Sequence, residues 1–145
     1  MTSTDAAAPS NLRQVRLRWT GAGMVFHGGP DEGVHLTVDS AGAEGQSPMQ
    51  LLLMALASCM AIDVRMILEK SRVPVDSLEV EVVGVRAAEP PRRYLSLDLV
   101  YRVGGPGDAD RSKLERAIEL SRDKYCSVLH SLDPKIEVDI RIEPA

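Results

Sequence analysis

An α+β fold built on antiparallel sheets is what this chain of 145 residues predicts. Segments that alternate apolar and polar side chains, the period of a half-buried strand, come in neighbouring groups on either side of one long apolar stretch. Strands adjacent in sequence favour antiparallel pairing over a doubly wound parallel sheet. The length suits a single domain, and folding at this size buries roughly two-thirds of the unfolded surface.

The elements follow in order. Residues 1–11 are rich in Ser, Thr, Ala and Pro and read as a flexible tail, leaving 12–145 as one domain. Residues 13–19 alternate Val15, Leu17 and Trp19 against Gln14, Arg16 and Arg18, a half-buried first strand. Gly21–Gly23 turn the chain into a short strand at 24–26. A second turn at Gly28, Gly29 and Pro30 leads to a third strand over 34–38, and 40–46 is a loop of small residues.

Residues 45–62 carry no formal charge, and a helix start stands at Ser47-Pro48-Met49-Gln50. Ser47 can cap free amides, Pro48 suits the first helical position and Gln50 completes a capping box. The spacing predicts a helix to about Ser71, stopped by Val73-Pro74. Leu51, Leu52, Leu53, Met54, Leu56, Met60 and Ile62 cover its whole circumference. A bilayer span needs about 20 apolar residues, and Asp63 and Arg65 interrupt this run too early, so no membrane is expected. A helix apolar on all sides is buried on all sides, and a domain this small encloses one with the help of a second subunit.

Beyond it, 78–85 alternates Leu78, Val80 and Val82 against Glu79 and Glu81. Glu89-Pro90-Pro91-Arg92-Arg93 is a turn, and 94–103 carries Leu95, Leu97, Leu99 and Tyr101 on one face. Residues 110–124 form an amphipathic helix with Leu114, Ala117, Ile118 and Ser121 inward. A further short helix starts near Tyr125-Cys126, and a last strand over 136–142 presents Ile136, Val138, Ile140 and Ile142. The order is βββ-α-ββ-α-(α)-β.

The composition, 44% hydrophobic and 26% charged, is that of a soluble globular protein. With 17 Lys+Arg against 21 Asp+Glu the net charge is −4, which gives no field to draw in phosphate backbones. Aromatics at 3% leave little to stack on bases, so nucleic acid is not an expected partner. The first ten residues lack a basic region followed by an apolar run, which points to a reducing cytoplasm.

Two cysteines are the candidates for chemistry. Cys59 sits midway along the apolar helix, either as a small buried hydrophobe or as a reactive thiol. Apolar surroundings raise a thiol pKa, so the reactive reading requires a cation or oriented donors nearby. Cys126 follows Tyr125; if a helix starts there, its free amides would stabilise a thiolate, and otherwise it is an inert helix-end residue. The pair is neither a CxxC redox motif nor a zinc knuckle. His27, His35 and His130 are scattered, and none stands at metal-ligand spacing. No P-loop, coupled GxGxxG or GxSxG is present, and no cofactor or metal is expected.

Ser47-Pro48-Met49-Gln50-Leu51-Leu52-Leu53-Met54-Ala55-Leu56-Ala57-Ser58-Cys59, followed by Ala61-Ile62-Asp63-Val64, and Leu120-Ser121-Arg122-Asp123-Lys124-Tyr125-Cys126-Ser127-Val128 together resemble the OsmC/Ohr family of organic hydroperoxide reductases. The likeness is strongest to its YhfA-like branch and covers nearly the whole chain. It implies an OsmC-like intertwined homodimer with long buried central helices between wrapping sheets and active sites at the subunit interface. It also implies a thiol-dependent peroxidase of oxidative-stress defence, with Cys59 as the peroxidatic thiolate and Cys126 as the resolving thiol. An organic hydroperoxide is then the substrate and an external dithiol the reductant, with no cofactor.

Family members often have Glu where Gln50 stands, and that Glu orients onto the thiolate an Arg that many members carry on the loop corresponding to residues 39–46. Here the neutral Gln50 can hydrogen-bond but not ion-pair, and 39–46 contains no Arg. Arg16 and Arg18 on the first strand are the substitutes the sequence offers. The alternative function is a non-catalytic dimer that binds an apolar ligand or senses redox state.

Overall fold

A computed structural model describes residues 11–145. The expected tail, apart from Asn11, lies outside the described residues. The chain divides into two compact units, Met1–Gln50 and Leu51–Ala145.

The first unit is a three-stranded antiparallel sheet of β1 (Arg16–Trp19), β2 (Val25–Gly29) and β3 (Leu36–Asp39), in that order. Pairing runs Arg18 to His27 and Phe26 to Val38. Strand β1 alternates as expected but is exposed on both faces within one chain, so Leu17 and Trp19 do not form the half-buried face their period suggested. The loop after β3 is organised by Asp39, whose buried carboxylate accepts the amides of Ala41, Ala43 and Glu44 at 2.9, 3.1 and 3.0 Å. These donors hold its carboxyl below the usual carboxylate range, the Glu44 amide most of all. A side chain at Gly45 would run into the Thr37 carbonyl, so only glycine allows this close passage.

Helix α1 (Pro48–Lys70) begins with the expected box: Gln50 N–H donates to Ser47 Oγ at 3.3 Å, and Ser47 N–H donates to Gln50 Oε1 at 3.0 Å. It stops where Arg72 turns left-handed at φ 56° and Val73 N–H donates back to the Leu68 carbonyl at 3.0 Å. That closure is a Schellman-type cap made without the usual glycine. Its length and apolar content would let this helix cross a bilayer. One stripe, Leu56, Met60, Val64 and Leu68, is buried at helical spacing. Met54, Ile62 and Met66 are 53%, 58% and 51% exposed, so a single chain does not enclose the whole circumference.

In the second unit β4 (Ser77–Arg86), β5 (Tyr94–Gly104) and β6 (Glu137–Glu143) form a sheet with β5 in the centre. Strands β4 and β5 pair antiparallel, but β5 and β6 run parallel with Leu99 opposite Ile140. The second sheet is therefore mixed, not antiparallel throughout, because the helices between β5 and β6 carry the chain back to the same end. The central position of β5 buries Leu97, Leu99, Val100 and Tyr101, and leaves Leu95 near its start exposed. Glu79 and Glu81 lie on the polar face, where Arg102 bonds Glu79 at 2.6 Å. Helix α2 (Arg111–Leu120) buries Leu114, Ala117 and Ile118, followed by a π-helical turn over Ser121–Tyr125 and the short α3 (Ser127–His130).

Candidate active site

Three elements of the second unit converge on two sulfurs. Cys59 and Asp63 are four residues apart on α1 and share one face. Cys126 follows the π turn as the N-cap of α3, where its Sγ accepts the Leu129 amide at 3.3 Å. The Sγ atoms of Cys59 and Cys126 and a carboxylate oxygen of Asp63 all lie within 4.8 Å of one another. Both cysteines are free thiols; Cys59 is half-buried and Cys126 fully buried.

The π turn widens the helix by one residue, which fits its frequent use at functional positions. Cys126 N–H donates to the Ser121 carbonyl at 2.8 Å, and Ser121 Oγ donates to Asp63 Oδ2 at 2.9 Å. His130 braces the same turn: its Nδ1 stands 2.8 Å from the Cys126 carbonyl oxygen and its Nε2 3.2 Å from that of Asp123. On β5, the Tyr101 hydroxyl is fully buried within electrostatic reach of this cluster, with no hydrogen-bond partner among the described residues. Burial pushes its pKa up, and the charges of Cys126, Asp63 and Cys59 push it the same way.

Burial raises the Cys126 thiol from 9.0 to about 11. The Leu129 amide opposes this, while Cys59 and the Asp63 carboxylate add to it. The helix start expected at Cys126 is present, yet desolvation outweighs its single amide and leaves the thiol neutral near pH 7. The charged side chain acting on that sulfur is Asp63, which disfavours the thiolate. The other candidates sit in the first unit and are placed by contacts within it. Gln50 is the helix cap. Arg16 pairs with Asp31 at 3.0 Å, and Arg18 lines a cavity of about 420 Å³ with Arg16, Trp19, His27 and His35.

Asp63, Ser121, Tyr101 and His130 were not singled out from sequence as site residues. Asp63 and Ser121 had a usable signal, since each is polar at an inward helical position. Beside the cluster, Met66, Ile67, Leu120 and Tyr125 wall a largely apolar cavity of about 450 Å³ that reaches Asp63 and Lys70.

Residues 41–141 match the family model described as OsmC-like protein. Protein YhfA of Escherichia coli K12 is 36% identical over 126 residues, covering 86% of this chain and 92% of YhfA. A hypothetical protein from Aquifex aeolicus VF5 superposes with a TM-score of 0.81 at 30% identity, over 92% of this chain and 96% of that one. The organic hydroperoxide resistance protein OhrB of Bacillus subtilis shares the fold at a TM-score of 0.61 and 20% identity, over 90% and 96% of the two chains. The cysteine-bearing helix and the second cysteine both fall inside the matched region, and the likeness expected from those two segments extends to fold and sequence alike: this chain belongs to the OsmC family.

Proposed function

We propose that this protein is a thiol-dependent peroxidase that reduces organic hydroperoxides, with Cys59 as the attacking sulfur and Cys126 as the resolving one. The observation that carries the reading is the approach of both sulfurs to within 4.8 Å while Cys59 alone keeps access to solvent. The fold shared with a hydroperoxide resistance protein supports it.

The Cys59 thiolate attacks the O–O bond, forming a sulfenic acid and, with one proton, releasing the alcohol. Cys126 then attacks that sulfur, giving a disulfide and water. Asp63 is placed to take the Cys126 proton, which a thiol held near pKa 11 does not give up unaided. An external dithiol restores both thiols by exchange. We read the working form as a cytoplasmic homodimer whose second subunit covers Met54, Ile62 and Met66; light scattering on the eluting protein tests this.

A second reading has its own support. With the Asp63 carboxylate beside both sulfurs, the pair suits a slow redox sensor or an unreactive thiol beside an apolar ligand cavity. Loss of an alkyl hydroperoxide in the presence of a dithiol separates these. The peroxidase turns over, loses all turnover as Cys59→Ser, and accumulates a dimedone-reactive sulfenic acid as Cys126→Ser. A sensor oxidises once and stalls, and a binding protein shows no turnover in any of the three forms.

A further inference from the structure

The triangle of Cys59, Asp63 and Cys126 brings three potential anions together. Two are thiols, the side chains that select zinc and its heavier relatives over magnesium or calcium. We propose that these three side chains form a binding site for a thiophilic divalent cation such as Zn²⁺ or Cd²⁺ in the reduced protein.

The geometry is close to what such an ion requires. Sulfurs bound to zinc at about 2.3 Å in a tetrahedron stand about 3.8 Å apart, so ligand atoms already within 4.8 Å need only a small closure. The ligands come from two separate elements, α1 and the N-cap of α3, so they can embrace an ion from two sides. Their supporting bonds exist as well. Ser121 Oγ holds Asp63 at 2.9 Å, and the Leu129 amide holds the Cys126 sulfur at 3.3 Å. The independent observation is Tyr101, a fully buried hydroxyl without a hydrogen-bond partner among the described residues, near enough to feel the charge of all three ligands. Three protein ligands leave the fourth tetrahedral position to a water, for which that hydroxyl is a ready hydrogen-bond partner. The half-buried Cys59 side provides access.

Occupancy and disulfide formation exclude each other. Binding displaces the two thiol protons to solvent. Oxidation by a hydroperoxide takes two electrons from the two thiolates and two protons from solvent, giving the disulfide, an alcohol, water and the free ion. Metal binding does not depend on the peroxidase reading, because it needs no peroxide turnover.

The test is equilibrium dialysis of the reduced full chain against Cd²⁺ or Zn²⁺ alone, with the cadmium–thiolate charge-transfer band as a second readout. One ion per chain is expected, with the band lost in Cys59→Ser and in Cys126→Ser. Ser121→Ala should weaken affinity about tenfold through Asp63, as loss of such supporting bonds does. In the wild type the ion should block alkylation of Cys59, and an alkyl hydroperoxide should release it, a readout that does not depend on any variant folding. Absence of one-to-one uptake by the reduced wild type, or uptake undiminished in a folded Cys59→Ser/Cys126→Ser double variant, overturns the site. Peroxide turnover measured separately tells failure of this site from failure of the peroxidase reading.

Discussion

Ser121 donates its hydroxyl to Asp63 at 2.9 Å across 58 residues of sequence, joining the π turn after α2 to the middle of α1. Ser121 is fully buried, and the same residue's carbonyl receives the Cys126 amide. One serine therefore locates both the carboxylate and the second sulfur.

Replacing that serine should be felt in stability. Ser121→Ala leaves Asp63 without its buried donor, and loss of a hydrogen bond to a charged group costs about 1.5–3 kcal/mol. Urea unfolding should show the midpoint fall with an unchanged slope. An unchanged midpoint would mean that water replaces the hydroxyl without cost.

Tyr101→Phe should behave in the opposite sense. The hydroxyl is buried without a partner among the described residues, so its removal relieves a desolvation cost of about 1–3 kcal/mol while keeping the ring in place. The variant is expected to unfold at equal or higher urea in metal-free buffer. A loss of stability would show that the hydroxyl bonds an ordered water.

Alkaline pH should weaken the fold through Cys126. Its thiol ionises near 9.0 when unfolded and near 11 when folded, so the native state holds the extra proton between those values. Stability from this group is whole below pH 9 and falls as pH rises toward 11. Measured by denaturant unfolding, the slope over that window should flatten in Cys126→Ala, the remainder coming from Tyr101, shifted in the same direction. An identical slope in the variant would assign the whole effect elsewhere.

Acid should act through Asp39. Its amide partners hold the folded carboxyl below the ordinary 3.8, so its contribution is present above that value and is lost as pH falls through the folded one. Asp39→Ala should lower stability at pH 7 and reduce the acid dependence of unfolding. Amide exchange at Ala41, Ala43 and Glu44 should speed up in the variant, and unaltered exchange would contradict the assigned role.

Much of the architecture was legible because it rests on local rules. The period of two in β4, the inward row of Leu114, Ala117, Ile118 and Ser121, and the Ser47–Gln50 box each depend on residues a few positions apart. The capping box is legible before any tertiary contact is known, since its donors and acceptors lie within one turn. Where β6 inserts was not legible in this way. Its parallel pairing with β5 is a choice between distant strands, made by the crossover that α2 and α3 provide.

The amino-acid order by itself determined the family, the α+β succession of elements and the two cysteines worth testing. Only the tertiary structure decided which charge stands beside them. The Asp63 carboxylate stands beside both sulfurs because residues 59, 63, 121 and 126 meet through packing of separate elements. Sequence spacing carries no information about such meetings, whereas hydrophobic periodicity and helix caps are written within a single turn of chain.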